Sequence, residues 1–408
     1  MRGTHVEEDI ARHRLHRRLS TAVDALPEQP STPTYVVDLD AFDANAADLA
    51  ARAAGTPIRV ASKSLRVPAL LARALAAPGF AGVLAYDLRE ALWLCEQGIT
   101  DDLLMGYPSV DATALHRLTS SEAALAAVTL MVDDTAHLDA VDEVRTCTAP
   151  VRVAVDVDAG LRLGPAHLGP KRSPLGDAGA VAALAREVTR REGFALVGAM
   201  TYEGLVAGVP DDGPGEALRS TVVRRLKTMS VSQLAERRAR VAEALAEVAD
   251  LELFNAGGSG SVETSAADPV VTEVTAGSGL LVPALFDHYR SFTPRPAAFF
   301  GLRVARRPSV GVVTVAGGGL VASGPTGADR SPVPWAPPGL ALTSLEGAGE
   351  VQTPLTGPAA GVLRIGDLVW FRHAKGGEVA EHVEAAHLLA GSSVVATVPT
   401  YRGTGHAW

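Results

Sequence analysis

The sequence predicts an α/β protein: a (β/α)8 TIM-type barrel with a C-terminal antiparallel β domain. Three observations lead there. Short apolar, β-branched runs alternate with alanine- and leucine-rich helical stretches through the first two thirds of the chain. After about Arg290 the texture changes, and prolines and glycines punctuate short alternating segments. Charged residues and glycine-serine turns stand directly after the apolar runs, where a parallel barrel builds its active site.

The first element is an N-terminal helical extension over residues 1–30. Within it "RHRLHRR" (Arg12 to Arg18), with "EED" just upstream, reads as a solvated amphipathic helix. Residues 31–290 hold the barrel. Its strands are expected at Ile58 to Ser62, Val83 to Tyr86, Leu103 to Met105, Leu130 to Val132, Val151 to Val155, Leu196 to Thr201, Leu253 to Asn255 and Val270 to Ala276. The helices between them are expected at Pro68 to Ala77, Leu88 to Gln97, Val110 to Ala127, Thr135 to Val144, Ala178 to Arg191 and around Glu216 to Val248, with none clear after the seventh strand. Residues 291–408 carry Pro294, Pro296, "AGGG", "PVPWAPPG" and alternating runs such as "VGVVTVAG" and "DLVWF", the texture of an antiparallel β domain.

Composition narrows the function. A chain of 408 residues, 47% hydrophobic and 20% charged, can bury one large core and a second smaller one. The net charge of -9 speaks against nucleic-acid and anionic-membrane partners, which want a basic face. Cys95 and Cys147 are the only cysteines and sit in no metal or disulfide pattern, which suits a reducing compartment. No apolar run has membrane-spanning length and the charged first residues lack a signal-peptide core, so a soluble, cytoplasmic protein is expected.

Lysine is scarce. Lys63, Lys171, Lys227 and Lys375 are the four lysines among 37 basic residues, so 33 are arginine. Lys63 follows the first strand. Tyr86 and Asp87 follow the second, Gly106 and Tyr107 the third, Asp133 the fourth, Asp156, Asp158 and Arg162 the fifth, and Tyr202 and Glu203 the sixth. "GGSGS" (Gly257 to Ser261) follows the seventh and "GSG" (Gly277 to Gly279) the eighth, places where barrels bind phosphate through close backbone approach. Each feature alone has a plainer reading as a turn or a surface residue. An amine and a phosphate cradle on one barrel face suggest a phosphorylated aldehyde held as a Schiff base.

Several motifs carry a resemblance. "TPTYVVDLDAFDAN", "RVASKSLRVP", "AYDLREA", "DVDAGLRLG", "MTYEG", "NAGGSGS" and "TAGSGLLVPALFDHY" resemble the fold-type III pyridoxal-phosphate enzymes related to alanine racemase. The match extends over Thr32 to Leu389 and looks nearest to the amino acid deaminase/aldolase group, neighbours of D-threonine aldolase and D-serine dehydratase. It implies that Lys63 carries pyridoxal 5'-phosphate, a nucleophile's task that an arginine could not perform. It also implies that Gly258, Ser259, Gly277 and Ser278 hold the phosphate, that Arg162 lies near the pyridine ring or phenolic oxygen, and that Tyr202 contacts the cofactor's far side. A homodimer with the active site at the subunit interface follows in the same way, as does a small amino acid substrate.

The reaction implied is that of a lyase, an aldolase or a dehydratase, acting on a β-hydroxy D-amino acid. The alternative is a racemase, which in relatives pairs the lysine with a partner-chain tyrosine; Tyr289 and Tyr401 are the late candidates here. A non-catalytic cofactor carrier is a third reading, but such carriers lack a C-terminal β domain. Metal-dependent relatives use His-x-Cys or His-x-Asp, whereas this chain has "HAK", His373 to Lys375. A protonated amine donates no lone pair to a cation, so a divalent metal is not expected. Lys375 is expected in the metal's place, with His373 as its hydrogen-bond partner or acid/base group.

Overall fold

The computed structural model describes residues 2–213, 217–293 and 295–408; Glu216, where the long helix was expected to begin, and Pro294 lie outside the described residues. Among the described residues, eight parallel strands close into a barrel: Ile58–Ala61, Phe80–Ala85, Leu103–Met105, Val128–Val132, Val151–Val157, Phe194–Thr201, Leu253–Ala256 and Glu273–Ala276. The eighth pairs back onto the first, Val274 opposite Ile58 and Ala276 opposite Val60. Their valines and leucines are buried, as strands covered on both faces require.

The expected helices occur in order, joined by Leu39–Arg52 before the first barrel strand and by the four-residue Gly204–Ala207 and Ser278–Leu281, none of which is among the helices expected from sequence. The single helix expected over Val110 to Ala127 is two, Ala112–Thr119 and Glu122–Ala127. The break falls at Ser120 and Ser121, where the Ser121 hydroxyl accepts from the Ala124 amide and starts a new helix. After the seventh strand there is a five-residue helix, Val262–Ala266, too short to show a helical period in sequence.

The second region is a nine-stranded sheet that is antiparallel apart from one pair, and it uses both ends of the chain. Thr34–Asp38, which lies inside the 31–290 span assigned to the barrel, pairs antiparallel with Ala298–Ser309 and parallel with Ala385–Ala390 in this sheet. Every residue of Thr34–Asp38 is buried, so it needs strand partners on both edges. The helix Arg2–Asp24 covers the same sheet: Leu19, Ala22 and Val23 pack with Val36, Phe299, Trp370 and Leu389. One face of the basic cluster on this helix is therefore docked, while His13, Arg14 and Arg17 remain exposed. Arg12 stacks 4.2 Å from the Trp335 ring centre and donates to the Trp335 carbonyl, while Arg18 pairs with Asp38. None of the helices among the described residues is long and apolar enough to cross a membrane.

The segment after the last strand, Ser393–Pro399, turns back onto the barrel. Tyr401 is fully buried, donates its hydroxyl to Glu90 at 2.8 Å and its amide to the Arg66 carbonyl at 2.9 Å. His406 and Trp408 join it against Trp93. Glu90 also accepts from the Tyr86 amide, which makes it the reaching carboxylate of the Leu88–Glu96 helix start, with Asp87 at the cap. Burial pushes the Glu90 carboxyl up to about 7. Its stabilising contribution is full below the ordinary carboxylate value and is lost as pH rises from there through about 7. Glu90→Gln keeps the acceptor without the charge, so stability in urea should fall less between about pH 5 and about pH 8 in the variant than in the parent protein. Identical pH dependence in the two would contradict this account.

Candidate active site

A cavity of about 580 Å³ opens at the C-terminal ends of the barrel strands, closed on its far side by turns of the C-terminal sheet domain. The first strand runs into a short 3-10 turn, Ser62–Ser64, that holds Lys63 at the cavity wall. The Lys63 ammonium donates to the Tyr107 hydroxyl at 2.6 Å. Burial pushes the Tyr107 phenol up, but the Lys63 charge, its hydrogen bond and the nearby Arg172 outweigh it and leave the phenol below its ordinary value. Arg172 lies 5.3 Å from the Tyr107 ring centre and 4.9 Å from that of Tyr202, spanning the mouth between them. Burial raises the Tyr202 phenol, and its ring forms part of the cavity wall.

Three turns meet at the cavity wall, the lysine turn among them. The Ser259 hydroxyl accepts from the amides of Gly277 and Gly279, at 3.3 and 2.9 Å, and so ties the turn after strand seven to the turn after strand eight. The Ser278 and Ser64 hydroxyls lie 2.9 Å apart, which ties the second turn to the lysine turn. Beneath them the buried carboxylate of Glu203 accepts from the Gly257 amide, the Ser261 and Ser265 hydroxyls and the Arg238 guanidinium. Glu203 thus organises the glycine-serine turn from behind. Gly277 is required by the same packing, because a Cβ there would lie 2.7 Å from the Ala61 carbonyl oxygen.

Lys63, Tyr202, Gly258, Ser259, Gly277, Ser278 and Lys375 all border this cavity. Arg162 and His373 do not. Arg162 sits in a hairpin with its side chain half exposed, donates to Asp158 at 2.9 Å and is held by Gln233. The hairpin turns it outward, and Arg172, ten residues on, reaches the mouth instead. His373 is buried behind the cavity wall with Nδ1 2.8 Å from the Lys375 carbonyl, folded onto its own turn. Burial lowers its imidazole below the ordinary value. Lys375 donates to the Ser323 hydroxyl at 2.8 Å and lies 3.7 Å from Glu378, whose carboxylate accepts from the Ser323 amide and hydroxyl. Among the described residues no group of three or more His, Cys, Asp or Glu is placed to hold a metal ion.

Tyr107, named at the end of the third strand, and Tyr289, named only as a candidate racemase tyrosine, border the cavity, as do Arg172 and Arg330, neither of which is singled out from sequence. Tyr107 was within reach of the strand-end rule, directly after Gly106. Arg172 and Arg330 come from irregular loops, where no period marks a facing side chain.

The model of the alanine racemase N-terminal domain matches residues 37–282. The chain belongs to this family. Its fold is that of the fold-type III pyridoxal-phosphate enzymes, and three solved structures illustrate the likeness. D-threonine aldolase from Filomicrobium marinum shares 22% identity over 91% of this chain and 95% of that one, with a TM-score of 0.76. D-threo-3-hydroxyaspartate dehydratase from Delftia sp. HT23 shares 20% over 93% and 98%, with a TM-score of 0.70. An alanine racemase from Clostridium difficile 630, in complex with cycloserine, shares 15% over 91% and 99%, with a TM-score of 0.57. No match is found among curated proteins.

The pairing of Lys63 with Tyr107 has a direct spectroscopic consequence. In cofactor-free protein of this alanine racemase-family chain, an ultraviolet titration should show one phenol ionising below the ordinary tyrosine range. Lys63→Met removes the cation while leaving Tyr107 buried, so that early transition should move to higher pH or vanish. An early transition that survives the substitution would assign it elsewhere.

Proposed function

We propose that this chain is a pyridoxal-phosphate-dependent lyase, an aldolase or a dehydratase, acting on a β-hydroxy D-amino acid through Lys63. The observation that carries the reading is the placing of the Lys63 amine across one cavity from the two tied glycine-serine turns. The residues fit the cofactor. A volume of about 580 Å³ suits a small-molecule site, and the set of an amine, serine hydroxyls and close-approaching glycine backbone suits an aldehyde that bears a phosphate. Lys63 would take the aldehyde carbon, while Gly258, Ser259, Gly277 and Ser278 would hold the phosphate. Tyr202 would lie against the ring, with Arg172 near its polar edge in the role first expected of Arg162. Bound there, pyridoxal phosphate supplies the electron sink that lets a bond at the substrate's α-carbon break.

The chain's own residues supply the rest. Tyr107 orients Lys63 Nζ, and because its phenol is held below its ordinary value, its ionised form, having lost its own proton to solvent, can take the ammonium proton when the amine must be neutral. Lys375 brings a positive charge to the opposite wall, where it can stabilise the hydroxyl that leaves or is deprotonated. His373 would act on Lys375 through their shared turn rather than on substrate. A racemase of the family type would need a tyrosine from a second copy. All six tyrosines are described and none is exposed: Tyr401 is spent on Glu90, and Tyr289 donates to the Ala207 carbonyl with its phenol raised by burial. That favours the lyase. Two free cysteines fit the cytoplasmic reading, and exposed Leu218, Val222 and Met229 along the helix Ala217–Ala246 offer an apolar face for a homodimer.

Protein loaded with pyridoxal phosphate should absorb in the visible, and borohydride reduction with peptide mapping should place the pyridoxyl group on Lys63. D-configured β-hydroxy amino acids should then yield an aldehyde or a 2-oxo acid. A label on Lys171, Lys227 or Lys375, or enantiomer exchange as the only product, would overturn the assignment.

A further inference from the structure

Four cations stand on the loop-built wall of the cavity: Arg66, Arg172, Arg330 and Lys375. Two are matched within the protein. Arg66 pairs with Glu381 at 2.8 Å and donates to the Lys63 carbonyl; Lys375 is held by Ser323 and Glu378. The other two are open. Arg172 stacks over Tyr107 and Tyr202 but meets no carboxylate among the described residues. Arg330 is the more telling case. Its side chain is only 18% exposed, its Nε is buried with no hydrogen bond and lies 3.5 Å from the carboxylate of its own neighbour Asp329, which is 57% exposed, and it pairs with no other carboxylate among the described residues.

A buried guanidinium N–H without a hydrogen bond is costly, and five donors in a planar fork match a carboxylate better than any single oxygen. The backbone holds Arg330 in place regardless: its amide donates to the Gly327 carbonyl and its carbonyl accepts from the Ala322 amide. Arg330 belongs to the sheet domain, whereas the glycine-serine turns and Arg172 belong to the barrel, so the two open guanidiniums come to one cavity from different regions.

Resting on the lyase reading above, we propose that Arg330 binds a second carboxylate, on the substrate's side chain, so that the preferred substrate is an acidic β-hydroxy amino acid with Arg172 left for the α-carboxylate or the cofactor's edge. Among the described residues Glu378 is the single carboxylate on the cavity wall, and Lys375 and Ser323 already engage it, so it does not compensate Arg330. A neutral side chain would leave the Arg330 fork unpaired in the complex, which discriminates against it.

The test uses the cofactor-loaded protein and two unreactive ligands, D-aspartate and D-alanine, with binding followed by calorimetry and by the visible absorbance. The parent protein should bind aspartate more tightly than alanine. Because a hydrogen-bonded ion pair contributes about 1.5–3 kcal/mol, Arg330→Met should reduce the aspartate-to-alanine affinity ratio by about tenfold to a hundredfold. Arg330→Lys, which keeps the charge but loses the fork, should fall between, and circular dichroism should confirm that both variants fold. An unchanged ratio in Arg330→Met, or a loss of pyridoxal phosphate affinity in place of a change in ratio, would overturn the proposal; the latter would make Arg330 a phosphate anchor. Failure of the parent protein to take up the cofactor would overturn the lyase reading itself and is seen separately, as the absence of visible absorbance.

Discussion

The site depends on a contact between two backbones. Gly377 lies over the Lys63 carbonyl in a left-handed conformation, φ +85°, and a Cβ there would come within 2.2 Å of that oxygen. Only glycine lets the sheet domain sit this close to the lysine turn. Gly376 repeats the approach against Ser64 and Ser278. With the domain seated, Lys375 and Glu378 complete the wall of the cavity. The lysine turn is also held at Arg66, a non-glycine residue with φ +53°. That conformation costs about 1 kcal/mol or more. It is offset by bonds from Arg66 to the Lys63 carbonyl and to Glu381, and by the Tyr401 amide on the Arg66 carbonyl. The flexible Lys63 side chain thus stands on a rigid base, as the role proposed for its amine requires.

Charge is handled in two different ways around this contact. Below the cavity, buried charges are fully engaged. Arg59, almost inaccessible, bridges Glu273 and Asp102, and Glu203 spends both oxygens on the turn above it and on Arg238. Such networks bring specificity of structure more than net stability, because desolvation offsets much of the attraction. At the cavity wall the engagement is looser: Arg66 keeps its pair with Glu381, whereas Arg172 rests on aromatic faces and Arg330 has only the half-solvated Asp329 beside it.

The parts of this arrangement that were legible in sequence are those set by short-range rules. The eight strands show as β-branched runs, and Lys63, Gly258, Ser259, Gly277 and Ser278 follow from the rule that barrel sites sit at strand ends. What was not legible depends on contacts far apart in the chain. Thr34–Asp38 has the same apolar texture as a barrel strand, and only its pairing with strands some 260 and 350 residues later, on the order of the chain's own length, assigns it to the sheet. Tyr401 could be counted as a late tyrosine, but its engagement with Glu90 is a tertiary fact. Arg162 fits the family motif, yet the hairpin that carries it aims it at Asp158 and away from the cavity. Motif spacing identifies a residue's position along the chain and leaves the direction of its side chain to the local turn.

The charge around Arg172 shows how the barrel side of the cavity can keep an open guanidinium without losing it to a neighbour. Asp156 stands at the end of strand five, beside Asp133 in the loop after strand four, and both act electrostatically on the same region as Arg172. Burial first, and then the proximity of Asp133, push the Asp156 carboxyl up to about 7, with Arg172 opposing. Asp156 is therefore largely protonated below neutrality and provides only a partial counter-charge. Asp158, two residues on, points to Arg162, His167 and Arg237 and is already occupied. A carboxylate arriving with a substrate would meet an Arg172 that no internal acid has neutralised, and its charge would further favour the protonated form of Asp156. The two acids at the end of strand five thus divide into a structural anchor, Asp158, and Asp156, whose raised carboxyl counters Arg172 only in part.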